Sequence, residues 1–117
     1  MNAPTQTTDE IYAVIRQAIL FKDIIALDYH GSVREMCPHV LGKTKGSPHA
    51  LMYQFAGESD AGLKPDGSPE NWRCLRIKDL SHAAVRKSNG EWHTARNYSA
   101  MQTCVDEIDV KIETRAA

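Results

Sequence analysis

Only one stretch of this chain has helical periodicity, and it comes first. Ile11, Val14, Ile15, Ala18 and Ile19 recur at helical spacing and form one apolar stripe. Thr7 precedes Glu10 by the interval of a capping box, and Asp9 and Glu10 place negative charge where the helix dipole favours it. The predicted helix spans residues 8–21. After Ile24 the pattern changes to alternation, and no second long amphipathic run follows. Parallel strands need a long crossover, usually a helix. The chain is therefore confined to an antiparallel sheet with one helix to cover it.

The strands can be read in order. Ile25, Leu27 and Tyr29 share one face over residues 24–29, and His30-Gly31 marks a turn. Residues 33–41 are again extended, with Pro38 signalling an edge or a bulge. Residues 42–48 read as a loop and residues 50–56 as an apolar strand. Residues 57–70, with three Gly and two Pro, read as a long mobile loop. Over residues 72–80, Trp72, Cys74 and Arg76 fall on one face, and Arg73, Leu75 and Ile77 on the other. Asn89-Gly90 is a hairpin signal joining residues 83–87 to 91–94. Residues 98–105 suggest one short helical turn. Ile108, Val110 and Ile112 alternate with Asp109, Lys111 and Glu113 as a half-exposed last strand. The prediction is a mostly β, strongly bent antiparallel sheet or barrel with an N-terminal α-helix. It forms a single domain over residues 8–117 behind a flexible start over residues 1–7.

Composition narrows the function. With 14 Lys plus Arg against 15 Asp plus Glu, the net charge is -1, which is not the balance of a strongly basic nucleic-acid protein. No apolar run approaches the roughly 18 residues of a membrane helix, and no membrane partner is expected. Residues 1–10 carry no positive charge ahead of an apolar stretch, so they do not read as a secretory signal. The three cysteines, Cys37, Cys74 and Cys104, are widely spaced and contain no Cys-x-x-Cys pair. That supports neither a disulfide framework nor a thiolate zinc site, and a reducing cytoplasm is the expected home. No phosphate-binding glycine loop, nucleophile elbow or zinc-protease helix is present, so no cofactor and no enzymatic activity are expected.

Several pieces occur in a familiar order. After the helix comes Ile24-Ile25-Ala26-Leu27-Asp28-Tyr29-His30-Gly31, then Arg34 with Pro38 four residues on. A strand centred on Met52-Tyr53 follows, and then Trp72-Arg73-Cys74-Leu75-Arg76-Ile77. In this order the chain resembles the WYL domain family from about Ile11 to Leu80. The family's naming Trp-Tyr-Leu reads Met52-Tyr53-Gln54 here, and the late Arg of its Arg-rich strand falls near Asp79, beside Lys78. The resemblance implies an Sm-like, SH3-type β-barrel. Such domains usually sit behind a DNA-binding helix-turn-helix in bacterial transcription regulators and sense ligands, nucleotides or single-stranded nucleic acid. This chain would be a stand-alone version.

Arg34, Tyr53, Arg73 and Arg76 are the first candidate site. Arginine forks grip phosphate with paired hydrogen bonds, and tyrosine stacks on a base. The plainer reading makes Tyr53 a core residue and pairs the arginines with Glu35, Glu58 or Asp79. Because Arg73 and Arg76 alternate, both join one site only through a bulge or at a rim. Trp72 follows the long loop and is a second stacking candidate; Trp92 reads as an anchor. His39, two residues after Cys37, is a further ligand-binding candidate. His49, His82 and His93 are available for a metal, although a buried Cys37 and an edge His39 read more simply. Lys43, Lys45 and Lys64 could steer an anion or serve only solubility.

The expected function is therefore a non-enzymatic regulatory module. It would bind a nucleotide or single-stranded nucleic acid, with residues 57–71 as a lid. The alternative is self-assembly through exposed strand edges, above all the last strand, giving a homo-oligomer or a protein partner.

Overall fold

A computed structural model describes residues 6–58, 62–87, 91–98 and 102–112. Helix α1 spans Thr8–Phe21, as its stripe predicts. Thr7 Oγ1 accepts from the Glu10 N–H, and the Glu10 carboxylate accepts from the Thr7 N–H, so the capping box closes. Lys22 ends the helix in the left-handed region, its N–H turned back to the carbonyls of Ala18 and Ile19. The start of the chain is less free than expected: the Gln6 amide exchanges two hydrogen bonds with the Ala83 backbone, at 2.9 and 2.7 Å. The remainder of the predicted flexible start, residues 1–5, lies outside the described residues.

The strands are β1 (Ile24–Tyr29), β2 (Ser32–Thr44), β3 (Ser47–Gly57), β4 (Trp72–Arg76), β5 (Leu80–Arg86) and β6 (Glu107–Lys111). They form one six-stranded sheet in the order β4-β3-β2-β1-β5, with β6 also paired to β2 and every pairing antiparallel. The sheet does not close. His30 and Gly31, both at positive φ, turn β1 into β2. Lys45 and Gly46 repeat that geometry between β2 and β3. The loop expected over residues 42–48 is therefore only a tight turn, because the strands run further than their apolar cores.

The bend comes from β2. It pairs with β1 through Ser32–Met36 and with β6 through Val40–Lys43. Phe55 and His39 are extra residues on β3 and β2 where the register shifts. Pro38 sits beside the second shift, so its missing N–H falls at a bulge inside the sheet rather than on an edge. Gly42 lets β6 approach: a Cβ there would collide with the Glu107 carbonyl oxygen and come within 2.8 Å of Val105 Cγ1.

The two faces carry separate cores. On the inner face, Ile11, Ile15 and Ile19 of α1 meet Ile25, Leu27, Met36, Leu41, Met52, Leu75 and Ile77. On the outer face Val40 and Leu51 pack with Val105, Trp72 and Tyr98. Residues 91–98 and 102–106 supply that cover. The strand expected at residues 91–94 does not form, and Asn89-Gly90 lies outside the described residues. In the expected turn at residues 98–105, the Gln102 amide caps Val105, bonding both its N–H and its carbonyl.

The cysteines require a correction. Cys74 and Cys104 form a disulfide, with Cα atoms 5.6 Å apart. Their 30-residue separation hid the pairing in the sequence, because it depends on the chain returning across the outer face.

Candidate functional site

The six candidate residues divide between the two faces. Arg34 follows the inner-facing alternation of β2, two residues before Met36, and is only 2% exposed. Its guanidinium lies 4.8 Å from the centre of the Tyr29 ring. Arg73 sits opposite Met52 on β3 and so shares the inner face with Leu75. Its Nε donates to Gln54 Oε1 at 3.1 Å, and its Nη1 donates to the carbonyls of Glu70 and Trp72. Gln54, fully buried, is fixed in turn by donating to the carbonyls of Ala56 and Glu58. Burial lowers the proton affinity of Arg73, and the nearby charge of Arg34 lowers it further. Two arginines 39 positions apart thus reach one end of the inner face. Gly57, opposite Arg34 at φ +92, permits the approach: a Cβ there would come within 2.8 Å of Arg34 Cα.

Tyr53, Arg76, Trp72 and His39 are elsewhere. Tyr53 is fully buried on the outer face, opposite Trp72, with ring centres 5.1 Å apart. Its hydroxyl donates to the Ser68 carbonyl at 2.8 Å and accepts from the Gly67 N–H at 2.7 Å. It is a core pillar rather than a stacking platform. Arg76 is exposed on the outer face, with Nε 3.0 Å from Asp79 Oδ2. Alternation had set Arg73 and Arg76 apart, and no bulge on β4 reunites them.

The described part of residues 57–71, the segment expected as a lid, is anchored at Asn71. Asn71, fully buried, accepts from the Lys64 N–H and donates to the carbonyls of Lys64 and Pro65. Of the lysines weighed for steering, Lys43 lies in β2, Lys45 in the tight turn and Lys64 in this segment.

His39, the bulge residue, is fully buried among Trp72, Trp92 and Tyr98, with ring centres 4.7, 5.2 and 5.0 Å away. Its Nδ1 donates to the Cys37 carbonyl at 2.7 Å, which leaves Nε2 to accept from the Thr94 hydroxyl at 3.0 Å. Burial pulls its pKa down to about 4, holding it neutral. It binds the Cys37 backbone, not the thiol. Cys37 itself accepts from the His93 N–H, and burial pushes its pKa up to about 12. Burial thus disfavours the thiolate form that a nucleophile or a metal ligand requires. Among the described residues no three His, Cys, Asp or Glu side chains gather to hold a metal.

The sequence missed Asn97, whose Oδ1 accepts from the Trp72 indole N–H at 2.8 Å, and Tyr98, 5.6 Å from Trp72 by ring centres. The density of aromatics at Trp92 and Tyr98 was the available signal. It was divided between an expected hairpin, which took Trp92, and an expected helical turn, which took Tyr98.

Scanned against protein-family models, the chain matches none, and searches of curated proteins and of solved structures return no match either. The likeness to the WYL family rests on the sequence motifs alone.

Proposed function

We propose that the chain is a non-enzymatic ligand-binding regulatory module of the WYL type, built on an incompletely closed Sm-like, SH3-type barrel. Its ligand is a compact anion, the phosphate of a nucleotide or of single-stranded nucleic acid. The supporting observation is the convergence of Arg34 and Arg73 on one end of the inner face, near enough that the Arg34 charge depresses the proton affinity of Arg73. Arg73 is the more accessible of the two and makes the contact. Arg34, buried behind it, adds charge in a poorly solvated setting where electrostatic attraction is strong. Tyr53, Arg76 and His39 fall outside this version of the site.

The cytoplasmic expectation rests on cysteines without a disulfide, and the Cys74–Cys104 bond removes that argument, because such bonds persist mainly in oxidising compartments. Among the described residues no helix is long and apolar enough to cross a membrane.

The test is titration with adenosine monophosphate and with a short single-stranded oligonucleotide at low and moderate salt. Binding should weaken with salt, fall roughly tenfold in Arg73→Ala and persist in Arg76→Ala. Absence of binding at about 100 μM protein in low salt, or indifference to Arg73→Ala, would overturn the reading.

Edge pairing is the second reading. It is favoured by Ile108 on β6, an aliphatic residue 43% exposed on a short strand whose one partner among the described residues is β2. A concentration-dependent mass in light scattering, abolished by Ile108→Lys, would support it; a constant monomer mass would remove it.

A further inference from the structure

The outer face carries a cleft of about 410 Å³, separate from the arginine end. That volume lies within the range of roughly 300–1,000 Å³ typical of small-molecule sites. Its lining includes Leu51, Trp72, Asn97, Tyr98 and the disulfide pair Cys74 and Cys104, and among the described residues no lining side chain is charged. The Trp72 ring is held in place by its indole hydrogen bond to Asn97 and by edge contact with Tyr53 and His39. A rigid aromatic surface costs little ordering entropy when a ligand stacks on it. An ion entering such a cleft would lose hydration with no opposite charge to offset the loss.

We propose that this cleft is a second binding site, for a small, uncharged, planar aromatic molecule stacked against Trp72 and Tyr98, with the Cys74–Cys104 disulfide as a wall that must be intact. The site differs from the arginine end in both face and chemistry, and does not depend on it.

The wall follows from connectivity. Cys74 is exposed on β4, whereas Cys104 belongs to the segment returning across the outer face. Beside the disulfide, that segment is held by the Thr44 hydroxyl, which donates to the Cys104 carbonyl at 2.7 Å and accepts from the Asp106 N–H at 3.2 Å. These bonds tie residues 102–106 to β2, while the disulfide joins them to β4, beside the Trp72–Asn97 hydrogen bond. Two molecules of a monothiol such as glutathione can open the wall by exchange. The first thiolate attacks one sulfur to give a mixed disulfide, and the second releases the remaining cysteine. The cysteine S–S bond gains two electrons and two protons as two thiols, and the reductant leaves as its own disulfide.

The experiment is a ligand-observed NMR titration of the oxidised chain with indole as probe. Saturable binding is expected, lost in Thr103→Phe, which fills the cleft from an exposed lining position. Affinity should fall roughly tenfold after reduction with dithiothreitol and in the double variant Cys74→Ser/Cys104→Ser. Raising the salt should leave indole binding unchanged while it weakens anion binding, so failure of the anion site and failure of the cleft give different results. Circular dichroism melts check that each variant is folded. No saturation up to about 10 mM indole, or binding indifferent to Thr103→Phe, would overturn the site. Equal affinity in the oxidised and reduced proteins would overturn the role of the disulfide.

Discussion

The inner face of the sheet is closed by one helix and the outer face by chain without regular structure. Helix α1 satisfies its own backbone, so it needs only an apolar stripe to dock. Among the described residues, the return across the outer face has no ladder of its own until β6. It is held by side chains: Asn97 on Trp72, Thr94 on His39, Thr44 on Cys104 and Asp106, and the disulfide. The difference teaches that a regular element can be docked by pattern alone, whereas an irregular one needs particular partners. Those partners then become available to shape a cleft.

The comparison can be broken most forcefully on the helix side. Ile15 is fully buried under α1. Ile15→Ala should cost about 3–4 kcal/mol in urea unfolding, and Leu51→Ala beside the open cleft about 2 kcal/mol. Equal losses would mean that the two covers are equally well packed.

Removing the disulfide should act on the outer face alone. Closing a 30-residue separation limits the unfolded chain by about 3–4 kcal/mol in the loop-entropy account. Measured loss in Cys74→Ser/Cys104→Ser should approach but not exceed that value. Hydrogen exchange should accelerate over residues 102–106 and stay slow in α1. Uniform acceleration would instead make the disulfide a global staple.

Acid should also find the outer face first. The pKa of folded His39 is depressed to about 4, against about 6.5 unfolded. Its stabilising contribution is complete above the unfolded value and is lost as pH falls toward the folded one. Stability should drop by about 2 kcal/mol between pH 7.5 and pH 5 from this residue. His39→Phe should flatten that limb of the profile in denaturant melts at the two pH values. A slope unchanged by the substitution would assign the acid sensitivity elsewhere.

The smallest effect belongs to the exposed Arg76–Asp79 pair. Arg76→Ala should shift stability by under about 1 kcal/mol, as read in the same melts. A larger loss would mean that β4 depends on its edge.

The first half of the fold was legible because each of its signals is local. Thr7 and Glu10 fix the helix start, a stripe of five residues fixes its buried face, and His30-Gly31 fixes the first hairpin. Alternation around Leu75 also put Arg73 and Arg76 on opposite faces, as found. The site was only half legible. Arg34 and Arg73 reach one end of the inner face, but Tyr53 faces outward: it pairs with Cys37 and Trp72, and the extra residue at Phe55 takes it off the face of Arg34. A one-residue shift moves a side chain to the other face, and nothing in the local sequence announces it.

What the sequence determined by itself was the class of fold: one capped helix, no second one, and strands that must therefore pair antiparallel. What only the tertiary structure decided was how the last part of the chain is used. Asn97, Tyr98 and Cys104 acquire their roles from residues 25, 26 and 30 positions away. Contacts over such distances follow from how the bent sheet brings β4 beneath the returning chain, and neither periodicity nor local turn chemistry encodes that meeting.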